Sequence, residues 1–457
     1  MRKGRLFLSV LMMLWAACVM NAAAPKYVFY FIGDGMGMGH VMAAQNYNRE
    51  VLKNSEPILM MQFPVVSMVT TYSASGRVTD SAAAGTALST GYKTNNGMLG
   101  VTPDSVPVTS VARYLKDAGW GIGVITTVAP DDATPGAFYA HQPSRSMAYE
   151  IDKEMAQSGY EFVAGSKLKG TKDKAGNPTD IYAHFARHNV AIARGFDELK
   201  NIDSKRVLLL NADSLDSNCG YTIDSIKGAL NLPGMTQACV EHLQKHTPER
   251  FFMMVEGGNI DYAGHSNDGG AAVKEILNFN QAIKVAYDFY LAHPDETLIV
   301  VTADHNTGGM AVRFGDLSII YYQRMSKDQF GYYTKSILNS RRIFTWEDMK
   351  AELKNLFGFW GKVSISEKQE KVLAEKFENT FNLRNSANQE TLYNSFNEFS
   401  VEVFKILNDK AGFGWVATGH TGDPVPLFAI GRGAYQFMGV HDNTEIPKII
   451  KSITLGE

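Results

Sequence analysis

The chain has 457 residues, 45% of them hydrophobic, which is enough to bury a substantial core and exceeds the usual size of one simple domain. One large domain with insertions and two domains are both open on length alone. With 44 basic and 47 acidic side chains the net charge is −3, so there is no basic field for a nucleic-acid backbone to follow, and nucleic acid is excluded as a dedicated partner.

The N-terminus carries Arg2, Lys3 and Arg5, an apolar run over residues 6–20, and Ala22, Ala23 and Ala24 ahead of Pro25. That order predicts a secretory signal peptide over residues 1–24, leaving residues 25–457 as a periplasmic or secreted protein. Its removal takes away three basic and no acidic residues, moving the net charge from −3 to −6. Ala16-Ala17-Cys18 loosely resembles a lipoprotein cleavage box. Trp15 stands where that box usually has an aliphatic residue, so cleavage after Ala24 ranks ahead of lipid attachment at Cys18. No later segment is apolar enough to span a bilayer. Beyond the signal only Cys219 and Cys239 remain, a count that fits one disulfide or two free thiols.

Tyr27 to Ile32 is a short apolar run closed by Gly33-Asp34-Gly35, the pattern of a buried strand ending in a tight turn. Thr79-Asp80-Ser81 then runs into an Ala-rich stretch that predicts a helix starting at Ser81. A hydroxyl there lies beside unpaired backbone N–H groups and the positive end of the helix dipole, where a phosphate binds well. Helical periodicity follows near residues 108–118, and a strand is predicted over 123–128 with Asp131 and Asp132 behind it. Further strands are predicted over 206–210, 251–255, 297–301 and 427–430, and further helices near 235–245 and 271–291. Strands alternating with helices predict an α/β fold, a three-layer sandwich with a largely parallel central sheet covered by helices on both faces. Residues 314–413, rich in Lys, Glu, Asn, Phe and Tyr, read as a helical insertion, with surface helices over 346–357 and 366–377.

In such sheets, binding groups collect beyond the carboxyl ends of the strands. Asp34, Asp132, Glu256 and Asp304-His305 all fall there. Glu256 opens Glu256-Gly257-Gly258-Asn259-Ile260-Asp261-Tyr262-Ala263-Gly264-His265, and His420 lies in Thr418-Gly419-His420-Thr421-Gly422. Singly, each cluster has an ordinary explanation as a cap, a turn or a hydrogen-bonded loop. Together, beside a serine at a helix start, they point to a metal-assisted nucleophile.

These residues resemble the alkaline phosphatase family, most specifically in Val78-Thr79-Asp80-Ser81-Ala82-Ala83 and Ser89-Thr90-Gly91-Tyr92-Lys93-Thr94-Asn95-Asn96-Gly97. The resemblance runs from Tyr27 to Gly431. It implies hydrolysis of phosphate monoesters through a phosphoserine at Ser81, with two Zn²⁺ and one Mg²⁺. It implies one zinc on Asp261, His265 and His420, a second on Asp34, Asp304, His305 and Ser81, and magnesium on Asp34, Asp132, Thr134 and Glu256. Arg145, in Ser144-Arg145-Ser146, aligns with the arginine that forks onto two phosphate oxygens. Tyr262 departs from members that carry Lys or His after the zinc-binding aspartate. Many relatives are dimers, so a homodimer is open here. A sulfatase is excluded because Ser81-Ala82-Ala83 lacks the Cys/Ser-x-Pro-x-Arg box. The rival readings are a phosphodiesterase of the same superfamily and a non-catalytic exported metal- or phosphate-binding protein.

Overall fold

A computed structural model describes residues 24–212, 215, 219–340 and 343–456. Cys18 and all of the expected signal segment except Ala24 lie outside them. Ten strands form one sheet: β1 Tyr27–Ile32, β2 Val65–Thr70, β3 Gly121–Thr126, β4 Phe162–Gly165, β5 Ala191–Arg194, β6 Val207–Leu210, β7 Phe251–Glu256, β8 Thr297–Thr302, β9 Val425–Gly431 and β10 Val440–Asp442. Their order across the sheet is β10-β2-β9-β8-β1-β7-β3-β4-β6-β5. All neighbours are parallel except β9, which runs antiparallel to both β2 and β8.

Tyr-Val-Phe-Tyr-Phe-Ile can be apolar throughout because β1 is covered on both faces. Phe29 and Phe31 pack edge-on against Phe289 and Phe279 of the helix Gly269–Ala292 on one face. Tyr30 points the other way, its hydroxyl donating to the Leu88 carbonyl of the helix Ser81–Thr90 at 3.3 Å. The helices Met38–Glu50 and Leu232–His246 share the first face, and Val111–Asp117 and Glu445–Leu455 the second. Gly123 in β3 is required by this packing, since a Cβ there would sit 2.3 Å from Cys239 Sγ of the helix Leu232–His246.

Register aligns the strand ends that matter. Ile32 pairs with Glu256 on one side and Thr302 on the other, and Thr126 also pairs with Glu256. The turns after β1, β3, β7 and β8 therefore open at one edge of the sheet. Because β9 is antiparallel, its first residues lie at that same edge, which brings in His420 just ahead of it.

Four sheet strands escape the sequence pattern. β2 alternates buried and exposed residues, but the exposed positions carry Val66 and Met68, so no polar alternation marks it. β4 and β5 span four residues each and β10 three, and none is the run of large aliphatic residues that marks the equally short β6. The strand expected over 123–128 starts two residues earlier and ends at Thr126. Cys219 and Cys239 are both buried free thiols, so of the two readings open in the sequence the structure contains the thiols.

Between β8 and β9 the chain forms the helices Lys327–Asn339, Trp346–Phe357, Glu367–Phe377 and Glu398–Ala411, with a small hairpin of Asn388–Glu390 and Ser395–Asn397. These helices are not purely superficial. Phe330, Met349, Leu353, Phe357, Leu373, Phe377, Phe399 and Phe404 are buried in a second apolar core. No helix among the described residues is long and apolar enough to cross a membrane.

Candidate active site

Asp80 caps the helix Ser81–Thr90, its Oδ1 accepting from Ala83 N at 3.0 Å, and this sets Ser81 as the first helical residue. Ser81 is buried, and its Oγ lies 3.1 Å from His305 Nε2. His305 Nε2 is also 3.1 Å from Asp304 Oδ2 and 3.4 Å from Asp34 Oδ1. Asp34 reaches this point because Gly35 turns the chain with φ +71°, and the turn is pinned by Gly35 N donating to Asp304 Oδ1 at 3.0 Å. One ligand atom each from Asp34, Asp304 and His305 lies within 4.8 Å of the others.

A second group adjoins the first. Asp261 and His265 sit four residues apart on the short helix Asn259–His265, so both side chains face one side. His265 Nε2 is 3.1 Å from His420 Nε2 and 3.4 Å from Asp261 Oδ2. The outer nitrogens are fixed by backbone carbonyls: Thr79 lies 2.9 Å from His420 Nδ1, and Thr418 lies 2.5 Å from His265 Nδ1. The His305 and His420 rings stack with centroids 3.6 Å apart, joining the two groups.

The electrostatics of this cluster is unbalanced. Burial, reinforced by Asp304, Asp261 and Glu256, raises the Asp34 carboxyl well above its ordinary range. Burial likewise pushes Glu256 up to about 8. For Asp261 burial acts upward too, but His265, His420 and His305 outweigh it and hold this carboxyl low. Asp34 Oδ1, both Glu256 oxygens, Asp261 Oδ2, Asp304 Oδ2 and Thr134 Oγ1 are buried and accept or make no hydrogen bond. Buried polar atoms without partners cost free energy, and here most belong to carboxylates that converge. A cation satisfies such oxygens, so the donor set fits metal ions.

Asp132 is differently placed. Its Oδ1 accepts from Ala133 N at 2.9 Å and Arg145 Nη2 at 3.1 Å, and its Oδ2 accepts from Lys169 Nζ at 2.6 Å and the Tyr262 hydroxyl at 3.1 Å. Arg145 bridges onward, its Nη1 donating to Asp80 Oδ2 at 3.3 Å. It lines a cavity of about 800 Å³ with Asp80, Asp132, Lys169, Tyr393 and His420.

Three residues at the site are absent from the sequence reading. Thr307 donates to Asp261 Oδ1 and lies 3.2 Å from His305 Nδ1. Its place three residues after Asp304 was the one available hint. Tyr393, from the turn of the small hairpin, stacks on Tyr262 at 3.9 Å and meets His265 edge-on. Lys169 comes from a segment with no motif. Of the histidines outside the motifs, His40 is buried with neither ring nitrogen bonded, and His141 and His441 pair with Glu154 and Glu445.

The alkaline phosphatase family model matches residues 25–174 and 199–455. Alkaline phosphatase 3 of Bacillus subtilis (strain 168) is 31% identical over 441 residues, covering 94% of this chain and 88% of that protein. Alkaline phosphatase 4 of the same organism is 30% identical, covering 95% and 89%. Among solved structures, the cold-active alkaline phosphatase of a psychrophilic Shewanella sp. has a TM-score of 0.79 at 28% identity, over 93% of this chain and 99% of that one. By the match of the family model, by sequence identity over most of its length and by overall fold, this chain belongs to the alkaline phosphatase family.

Proposed function

We propose that this chain performs the phosphate monoester hydrolysis of its family through a phosphoserine on Ser81, within a site for two zinc ions and one magnesium ion. The observation that supports it best is Ser81 Oγ beside His305, close to the Asp34 and Asp304 carboxylates, each of which keeps one buried oxygen without a hydrogen bond. Asp261, His265 and His420 would hold one zinc, and Asp34, Asp304 and His305, with Ser81, the other. Magnesium suits the oxygen-only set of Asp34, Thr134, Glu256 and Asp132. The unbonded atoms of the first three favour this assignment, whereas Asp132 already accepts four hydrogen bonds. When bound, such ions lower the pKa of a serine hydroxyl and of water, and neutralise charge on ester oxygens.

The protein groups do the rest. Ser81 Oγ attacks phosphorus, a new Oγ–P bond forms as the P–O bond to the alcohol breaks, and the alcohol departs with a proton. Water then attacks the phosphoserine, inorganic phosphate leaves, and Oγ regains its proton. Two in-line inversions leave the configuration at phosphorus retained. The Arg145 guanidinium lines the cavity, held by Asp80 and Asp132, and its planar fork would donate to nonbridging oxygens. The fixed position of Ser81 at a capped helix start keeps its oxygen near the N-terminal end of the dipole.

The catalytic region is taken as residues 25–457, with an insertion at about 314–413, and residues 1–24 as a removed export signal. The basic, apolar and small-residue order of the first 24 residues supports that reading. N-terminal sequencing of the exported protein checks it, with Pro25 expected first. The reaction is checked by hydrolysis of p-nitrophenyl phosphate beside its bis-ester analogue, with and without chelator. Turnover of the monoester by metallated protein, lost on chelation, is expected. Faster turnover of the diester would favour the phosphodiesterase reading, and no turnover of either would favour a binding protein.

A further inference from the structure

We propose that Lys169 is a positioning residue for the phosphate grip of Arg145. The inference rests on the assignment of Arg145 to the phosphoryl group. Asp132 faces both cations, with Arg145 on Oδ1 and Lys169 on Oδ2. Were Lys169 absent, Arg145, already shared with Asp80, would be the one protein cation left on Asp132, and a guanidinium held by carboxylates has fewer donors free for phosphate. With Oδ2 neutralised at 2.6 Å by the ammonium, the hold on Arg145 is shared, and its fork can swing to an incoming dianion. Lys169 also lines the same cavity, where its charge adds to the attraction for that dianion.

Lys169 is built into this place. The preceding carboxylate, Asp131, is buried, and its Oδ2 accepts from Lys169 N at 2.7 Å and Gly170 N at 3.0 Å. Two consecutive aspartates therefore grip one lysine, Asp131 by its backbone and Asp132 by its side chain. Gly170 lets the segment approach this closely, since a Cβ there would lie 2.2 Å from Asp152 Oδ2. The Tyr262 hydroxyl meets the same Asp132 oxygen from the opposite element, so a lysine at position 262 would reach it too.

The test uses the zinc- and magnesium-loaded enzyme, with p-nitrophenyl phosphate as substrate and inorganic phosphate as inhibitor. Lys169→Ala is expected to raise KM and the phosphate Ki together by about tenfold, the scale of one charge-assisted bond, without lowering kcat. Lys169→Arg should stay near wild type, and Lys169→Ala with Tyr262→Lys should regain most of the lost affinity. Unchanged KM and Ki in Lys169→Ala, or a fall in kcat at unchanged Ki, would overturn the proposal, as would recovery by excess magnesium alone. Lys169→Gln carries the same test if the alanine variant does not fold. Arg145→Ala runs alongside: an unchanged Ki there removes the assignment of Arg145 itself, whereas a raised Ki there with Lys169→Ala unaffected removes only the role of Lys169.

Discussion

Ser81 Oγ and His305 Nε2 lie 3.1 Å apart although 224 positions separate the two residues in the chain. The contact exists because the helix that begins at Ser81 packs on the sheet face reached by Tyr30, while His305 follows β8, the neighbour of β1. A candidate nucleophile and a candidate ligand are thus held by rigid elements rather than by loops alone.

Ser81→Ala should lower kcat by roughly a thousandfold or more, because it removes the attacking oxygen and leaves the rest of the site in place. Acid-quenched reactions with labelled substrate should show phosphoprotein in the wild type and none in the variant. Bound zinc should remain, since histidines and carboxylates supply the other ligands.

Metal removal should destabilise the fold as well as abolish turnover. Asp34, Glu256, Asp261 and Asp304 leave buried oxygens without hydrogen-bond partners, and without cations their charges oppose one another. An ion present at a hundredfold excess over its Kd stabilises by about 3 kcal/mol. Thermal unfolding before and after dialysis against chelator should therefore show a lower Tm in the apoprotein, restored by zinc and magnesium.

Thr307→Val should cost about 10- to 100-fold in zinc affinity or activity, the range seen when a group that orients metal ligands is lost. Thr307 touches both Asp261 and His305, so one hydroxyl serves both groups. Zinc titration against a competing chelator measures the effect, and near-native affinity and rate would remove Thr307 from the site.

A pH effect on stability is expected from Glu275, a buried carboxyl on the helix Gly269–Ala292. Burial pushes its carboxyl from 4.5 up to about 7, against the pull of Thr222 N, which donates to it at 2.7 Å. A carboxyl raised in the folded state favours folding most below the unfolded value, and that contribution is lost as pH rises from about 4.5 through 7. Its size is of the order of 3 kcal/mol. Glu275→Gln keeps an acceptor for Thr222 and cannot ionise. Its Tm relative to wild type should therefore rise between pH 5 and pH 8, and a difference independent of pH would refute the assignment.

The buried strands β1, β6, β7 and β8 were legible because continuous apolar runs bounded by polar residues or Gly have few other readings. The long helix at Gly269–Ala292 was legible from periodicity alone. β2 was hidden by apolar residues on its solvent side, and the hairpin that carries Tyr393 by its three-residue strands. In the site, Asp34, Asp304, His305, Asp261 and His265 stood out because each follows a recognisable strand. Lys169 and Thr307 act only through contacts with other side chains, and such contacts leave no local pattern.

By itself, the sequence determined which residues could do chemistry, that a helix begins at Ser81, and that an α/β sheet carries the strand ends. These follow from local propensity and from the period of apolar residues, both properties of short segments. Only the tertiary structure decided that β9 runs antiparallel and so returns His420 to the site, and that Lys169 and Arg145 share the carboxylate of Asp132. Strand direction and long-range ion pairs are set by how distant segments pack, and that depends on the energy of the whole fold rather than of any one stretch of chain.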